Sequence, residues 1–248
     1  MRACLRAGLT GLASIVVISG AFAGAAEDSE IARKVDDQLR RSPTVGHLGV
    51  RAKARDGRVS LEGRVRTLAQ AWQAADLAGK VRGVIEVENR IEIDSRGAGD
   101  LSIGAAVRRR FEDLPEVAAA GLTVTVEAGT VTLAGKLRDA RARFTAADAA
   151  AEVEGVVAVN DLIETPESDD ETIKKAVAGL FATRSLVRVA GKVESTVKDG
   201  VVTLEGHVTR LYDRKRATRL VMGINGVRAI ENRLAVKPSD PNFVIPLH

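Results

Sequence analysis

The side chains able to make or break bonds are few in this chain and do not gather. Of the three histidines, His47 and His207 lie far apart in sequence and His248 is the last residue. None has an acid or a thiol at the spacing of a zinc site. The one cysteine, Cys4, stands close to the N-terminus, so the rest of the polypeptide offers no thiol nucleophile, disulfide or thiolate ligand. There is no Gly-x-Ser-x-Gly elbow, phosphate loop or dinucleotide fingerprint. No catalytic, metal-binding or cofactor-binding residue is assigned, and no enzyme activity, cofactor or small-molecule substrate is expected.

The residues with the most regular spacing are glycines. Asp56-Gly57-Arg58-Val59-Ser60-Leu61-Glu62-Gly63 returns as Ala128-Gly129-Thr130-Val131-Thr132-Leu133-Ala134-Gly135 and again as Asp199-Gly200-Val201-Val202-Thr203-Leu204-Glu205-Gly206. Downstream of each comes Gly83-Val84, Gly155-Val156 or Gly226-Val227, then a polar pair, Glu88-Asn89, Asn160-Asp161 or Glu231-Asn232. Such self-similarity marks a chain built from repeated units, here three. A cradle of glycine N–H groups could hold an anion, but Asp56 and Asp199 would repel one, so the glycines are read as turn formers. His207 occupies the place of Arg64 and Lys136, a position that takes long polar residues facing water.

Periodicity supplies the elements that carry these glycines. Ile31, Val35, Leu39; Ile103, Val107, Phe111; and Ile173, Val177, Phe181 recur four apart, which puts each set on one face of a helix. Asp28-Ser29, Ser102 and Asp170 are read as caps near the helix starts. Alternation of period two then predicts a half-buried strand whose inward residues are Val50, Ala52, Ala54; Leu122, Val124, Val126; and Val193, Ser195, Val197. A tight turn at the Asp-Gly pair leads to a second strand burying Val59 and Leu61, with Val131, Leu133, Val202 and Leu204 as counterparts. A second helix follows with the stripe Ala74, Leu77, Ala78, Val81, repeated as Ala146, Ala149, Ala150, Val153 and as Ala217, Leu220, Val221, Ile224. Gly83, Gly155 and Gly226 are expected at its C-cap, and a third strand closes the unit. The fold class is therefore α+β: three tandem αββαβ modules, each with two helices on a three-stranded mixed sheet. They span 28–94, 100–165 and 169–236. Residues 237–248 contain three prolines and no periodicity and read as an extended or disordered tail.

The string Asp-Gly-x-Val-x-Leu-x-Gly-x-Val, a helix, Gly-Val and an Asn-bearing strand resembles the BON domain. The middle copy departs from it with Ala128 at the turn and with Asn160 one position early. The resemblance implies a bacterial envelope protein, periplasmic and associated with osmotic stress and membrane integrity. Its modules would bind phospholipid surfaces or other envelope proteins, and it supplies no catalytic residues.

The N-terminus agrees with export. Arg2 and Arg6 precede a short apolar run from Leu12 to Ile18, and Ala21-Phe22-Ala23 and Ala23-Gly24-Ala25 offer small-x-small cleavage sites. That is the layout of a secretory signal peptide over residues 1–25. Nucleic-acid binding is disfavoured for an exported chain. Of the formal net charge of +4, Arg2 and Arg6 contribute two, so the remainder is weakly basic. Most of that excess sits in the third copy.

Two surface features exceed what the fold needs. Trp72 lies about 160° around its helix from the apolar stripe, taking ~100° per residue. Trp72 and its counterpart Phe144 should therefore point away from their own cores. There they would pack on a neighbouring unit or enter a membrane interface. In the third copy, Tyr212, Lys215, Arg216 and Arg219 share the corresponding outer face of a basic helix, a candidate surface for anionic lipid or an envelope partner. Each exposed cation near an anionic bilayer contributes ~1 kcal/mol. Three of them give less than a millimolar dissociation constant demands, roughly 4 kcal/mol. Binding would also need aromatic insertion or several engaged modules.

Overall fold

The helical stripes, alternating strands and Asp-Gly turns fold into three like units, one after another. A computed structural model describes residues 19–97, 99–182, 187, 189 and 193–237. The charged and apolar parts of the N-terminal segment, and the tail from 238 onward, lie outside the described residues. The backbone through the two candidate cleavage sites is part of the first helix.

Unit 1 runs α1 (Ser19–Arg40), β1 (Arg51–Arg55), β2 (Arg58–Val65), α2 (Leu68–Gly79) and β3 (Glu86–Ile93). Unit 2 runs α3 (Asp100–Glu112), the one-turn α4 (Pro115–Ala118), β4 (Thr123–Glu127), β5 (Thr130–Lys136), α5 (Ala140–Ala151) and β6 (Ala158–Glu164). Unit 3 runs α6 (Asp170–Ala182), β7 (Glu194–Lys198), β8 (Val201–Val208), α7 (Leu211–Met222) and β9 (Ala229–Val236). In each sheet the hairpin strands are antiparallel, and the second helix carries the chain over to a third strand parallel to the second. The central strand is the middle one of each unit, which is why Val59, Leu61, Val131, Leu133, Val202 and Leu204 are completely buried.

The first-helix stripes pack where their spacing puts them, with Val35, Val107, Ile173 and Val177 fully buried. A further core residue between first helix and first strand, Val45, Val117 or Val187, escapes periodicity because it sits alone in a turn or in α4.

Readings at both ends of the helices are corrected by the structure. Asp28, Asp100 and Asp170 do not cap their helices. Each carboxylate instead accepts the two backbone N–H groups of its unit's hairpin turn: Asp56 and Gly57 at 2.8 and 3.1 Å, Ala128 and Gly129 at 2.9 Å each, and Asp199 and Gly200 at 2.8 and 2.9 Å. Asp56, Ala128 and Asp199 have φ of 50, 48 and 52°, and the following glycines 73, 75 and 74°. Two successive left-handed residues aim both N–H groups to one side, a concave cradle for an anion. The anion is supplied by the chain itself, and it ties the first helix to the hairpin. Asp169, one residue earlier than expected, caps α6 by accepting from Thr172 N at 2.9 Å. Ser29 lies inside α1, and α3 starts after Gly99 without a side-chain cap, the Ser102 hydroxyl donating to the Gly99 carbonyl at 2.7 Å.

Gly83 is not a helix cap either: α2 ends at Gly79 with Lys80 as C-cap, and Gly83, φ 92°, turns the chain into β3. The middle copy's departure is visible in the register: Asn160 stands one position early, opposite Thr132. The strand register places Asn89, Asp161 and Asn232 opposite Leu61, Leu133 and Leu204. Asn89 donates to the Ala71 carbonyl at 3.1 Å and Asn232 to that of Arg214 at 2.9 Å, each bracing the second helix. Asp161 cannot donate, so Arg143 donates to it from α5 at 2.6 Å. Finally, α4 is an element the sequence did not signal.

Replacing Asp100 by alanine removes both acceptors of the turn N–H groups. The expected loss is about 2 kcal/mol, the scale of charge-assisted bonds reduced by partial exposure. Chemical denaturation followed by circular dichroism measures it. Asp100→Asn, with one acceptor oxygen, should recover part of the loss.

Candidate functional site

Among the described residues no group of histidine, cysteine, aspartate and glutamate could hold a metal ion. Two open grooves among the described residues have their charges paired. In one, about 610 Å³ between units 2 and 3, Lys136, Arg143 and Arg228 face Glu164, Asp161 and Glu167 at 3.2, 2.6 and 2.6 Å. In the other, on the open sheet face of unit 1, Lys53, Arg58 and Arg90 face Glu62, Glu86 and Glu88 at 2.6, 3.1 and 2.8 Å.

Of the aromatic and basic residues singled out in the sequence, Phe144, Tyr212 and Arg219 meet residues of another unit, and Lys215 has Asp76 as a neighbour. The start of each second helix lies against the next unit. Leu68, opening α2, packs on the core of unit 2, while Arg66 just before it reaches Glu154 at 3.3 Å. Ala140, opening α5, is buried and donates its N–H to the Asn225 side chain of unit 3 at 2.9 Å. Leu211, opening α7, is buried in the core of unit 1. These three residues hold the same position in the repeat. The contacts run from unit 1 to 2, from 2 to 3 and from 3 back to 1, a head-to-tail interface that closes.

The face of each second helix turned from its own core lines this ring. On α2, Trp72, Asp76 and Gly79 share a stripe, since residues four and seven apart stand above one another. A Cβ at Gly79 would come within 3.3 Å of the Tyr212 nitrogen, so glycine lets the two helices approach. The Lys80 ammonium lies 4.7 Å from the centre of the Tyr212 ring. Arg219 lies 3.8 Å from Asp76. Phe144 on α5 points at Gly223 of unit 3, where a Cβ would be 3.9 Å from its ring. Trp72, Phe144, Tyr212, Lys215 and Arg216 are all half-buried, and Arg219 is exposed. The sequence separated these faces from their own cores but could not say what covers them. The residues it missed are the ring contacts, Leu68, Ala140 and Leu211, which look like ordinary helix starts.

The seam strains its charges. Burial pushes the Asp148 carboxyl above the usual carboxylate range, against the pull of Arg219 and with a further push from Glu152 and Asp76. Burial likewise lowers the affinity of Lys215 for its proton, with Asp76 opposing. A carboxyl whose folded pKa is raised contributes stability below its unfolded pKa and loses it as pH rises through the folded value. At neutral pH, therefore, Asp148 weakens the fold. Asp148→Asn should raise the melting temperature at pH 7, and the gain should shrink as pH falls through the raised carboxyl range. A gain independent of pH would remove charge as the cause.

Comparison with known proteins adds the following. A family model described as BON domain matches residues 27–95, 99–167 and 169–238. A "21 kDa hemolysin" of Actinobacillus pleuropneumoniae is 36% identical over 117 residues, which is 45% of this chain and 58% of that protein. The chain thus spans little more than half the length of that relative. Two solved structures of CdsD, a structural protein of the type III secretion system of Chlamydia trachomatis, are 17% and 18% identical. The first, of its C-terminal domain, covers 84% of this chain and 98% of its own at a TM-score of 0.23. The second covers 85% and 94% at 0.26. At those scores neither bears on the fold.

Proposed function

Because the chain belongs to the BON domain family, we propose that it is a non-enzymatic envelope protein, exported to the periplasm by a cleaved signal peptide, that binds phospholipid surfaces and supports membrane integrity under osmotic stress. The observation that carries this reading is the family match across all three repeats. The basic second helix of unit 3 supports it, since cations beside an aromatic suit an anionic lipid surface. A relative named for hemolysis agrees with action at membranes. Among the described residues no helix is long and apolar enough to cross a membrane, so these residues would meet lipid from outside it. The test is co-sedimentation of the chain with vesicles of anionic and of neutral lipid. Binding to anionic vesicles that falls with added salt is expected, and equal binding to both would contradict the reading.

A second reading, an adaptor for envelope proteins, rests on the open sheet face of unit 2. Its centre carries Thr123, Thr125, Thr132, Asn160 and Leu162, where unit 1 carries Arg51, Lys53, Ser60, Glu88 and Arg90, and Leu162 is 57% exposed. Crosslinking in envelope extracts, with Leu162→Lys as control, separates the two. A specific crosslink lost in the variant, without vesicle binding, favours the adaptor.

A further inference from the structure

The face that suits a lipid surface best is one the fold partly covers. Leu211, Tyr212, Lys215 and Arg219 lie along one side of α7 at helical spacing, two apolar or aromatic groups leading two cations. Unit 1 meets all four, although Arg219 keeps 58% of its side chain exposed. Leu211 enters the core of unit 1, Tyr212 stacks against Lys80 and closes on Gly79, and Arg219 faces Asp76. Lys215 has Asp76 as its favourable neighbour.

The seam carries charge as well as apolar contact. Here Asp76 lies 3.8 Å from Arg219 and is the favourable neighbour of Lys215, so part of the contact is charge that an anionic surface could replace. The closing contact also joins the two units most distant in sequence, so it can open without breaking either neighbouring connection.

We propose that the α7 stripe of Leu211, Tyr212, Lys215 and Arg219 is a latent docking surface for an anionic phospholipid bilayer, masked by α2 of unit 1 and released when unit 3 swings away. Asp76 then acts as a tethered competitor for the lipid phosphate, and the pocket that receives Leu211 competes with the acyl region. This rests on the lipid reading above and adds where the lipid sits and what controls access.

The masking side can be altered without touching the stripe. Asp76→Lys repels Lys215 and Arg219. Gly79→Leu forces a side chain into the Tyr212 backbone. Far-ultraviolet circular dichroism reports whether each variant folds, and the charge variant serves if the bulky one does not. The chain has one tryptophan, Trp72, on the masking stripe, so its emission reports opening directly. The expected result is red-shifted Trp72 emission, a larger radius of gyration, and at least tenfold stronger partition onto anionic vesicles, with none gained on neutral ones. Opening with unchanged vesicle binding would overturn the masked surface while leaving the lipid reading intact, provided the unaltered chain binds. No binding by either the unaltered or the opened chain would overturn the lipid reading and this proposal together. Folded variants that stay closed would show that Asp76 and Gly79 do not hold the seam, which also overturns it.

Discussion

Leu211→Glu is expected to detach unit 3 from unit 1 while all three units stay folded. Leu211 opens α7 but is buried as part of the core of unit 1, and its backbone lies close to Gly79 of α2. Removing a buried leucine forfeits about 1.5–3 kcal/mol of apolar burial. Leaving a carboxylate in its place costs several times more unless the contact opens, so it opens. Circular dichroism should be nearly unchanged, while Trp72 emission shifts to the red and small-angle scattering reports a longer particle. The variant places an acid on the α7 stripe itself, so it tests the ring and not the lipid surface. Leu68→Glu should act in the same way between units 1 and 2. If either variant unfolds its own unit instead, the ring contacts are parts of the individual cores and not a seam.

The second large effect is expected at a hairpin turn. Gly129 has φ 75°, and a Cβ there would stand 2.8 Å from the Gly155 carbonyl oxygen. Gly129→Val therefore meets left-handed strain, about 1–2 kcal/mol for an ordinary side chain and more for a β-branched one. It also meets a backbone clash that only a shift of the turn relieves. That shift would break the pair of bonds from Ala128 and Gly129 to Asp100. A core of this size supplies only about 3–5 kcal/mol. Unit 2 should thus lose amide-exchange protection from Asp100 to Glu164, while units 1 and 3 keep theirs. The opposite change is open at the neighbouring position. Ala128 sits at φ 48° where the sister units have aspartate. Asn tolerates that backbone better, so Ala128→Asn should stabilise unit 2 by a few tenths to about 1 kcal/mol.

Much of this was legible in the sequence because two periods and a repeat are enough to define a unit. Ile31, Val35 and Leu39 had to share a helix face, and Val59 and Leu61 had to share a strand face. Once the glycines repeated in register, all three copies followed. What was misplaced was partnership. An aspartate near a helix start can accept from the helix or from a neighbouring turn, and spacing does not distinguish them. Asp28, Asp100 and Asp170 chose the turn because two left-handed residues had already aimed their N–H groups there. The sequence did show that unit 2 carries its asparagine one position early, but not that Asp161 in the asparagine's place would take Arg143 as its partner.

The candidate surface shows the same limit more sharply. Helical angles placed Trp72, Phe144, Lys215 and Arg219 away from their own cores, and there they stand. An angle about one helix says nothing of what lies opposite. The covering elements come from units more than fifty residues away in the chain, through Leu68, Ala140 and Leu211. Of these, Ala140 is too small to have drawn attention, and two leucines at helix starts read as ordinary staples.

Small-angle scattering from the dilute chain tests the head-to-tail closure most directly, because it sees how the units sit and not how each folds. Closure predicts one particle with a radius of gyration of about 18 Å, the value for a compact chain of this length, and a distance distribution with a single maximum. A radius well above that, with separate maxima for spacing within and between units, would mean that three BON units follow one another as beads. The shared seam, and the masked face of α7 with it, would then be lost.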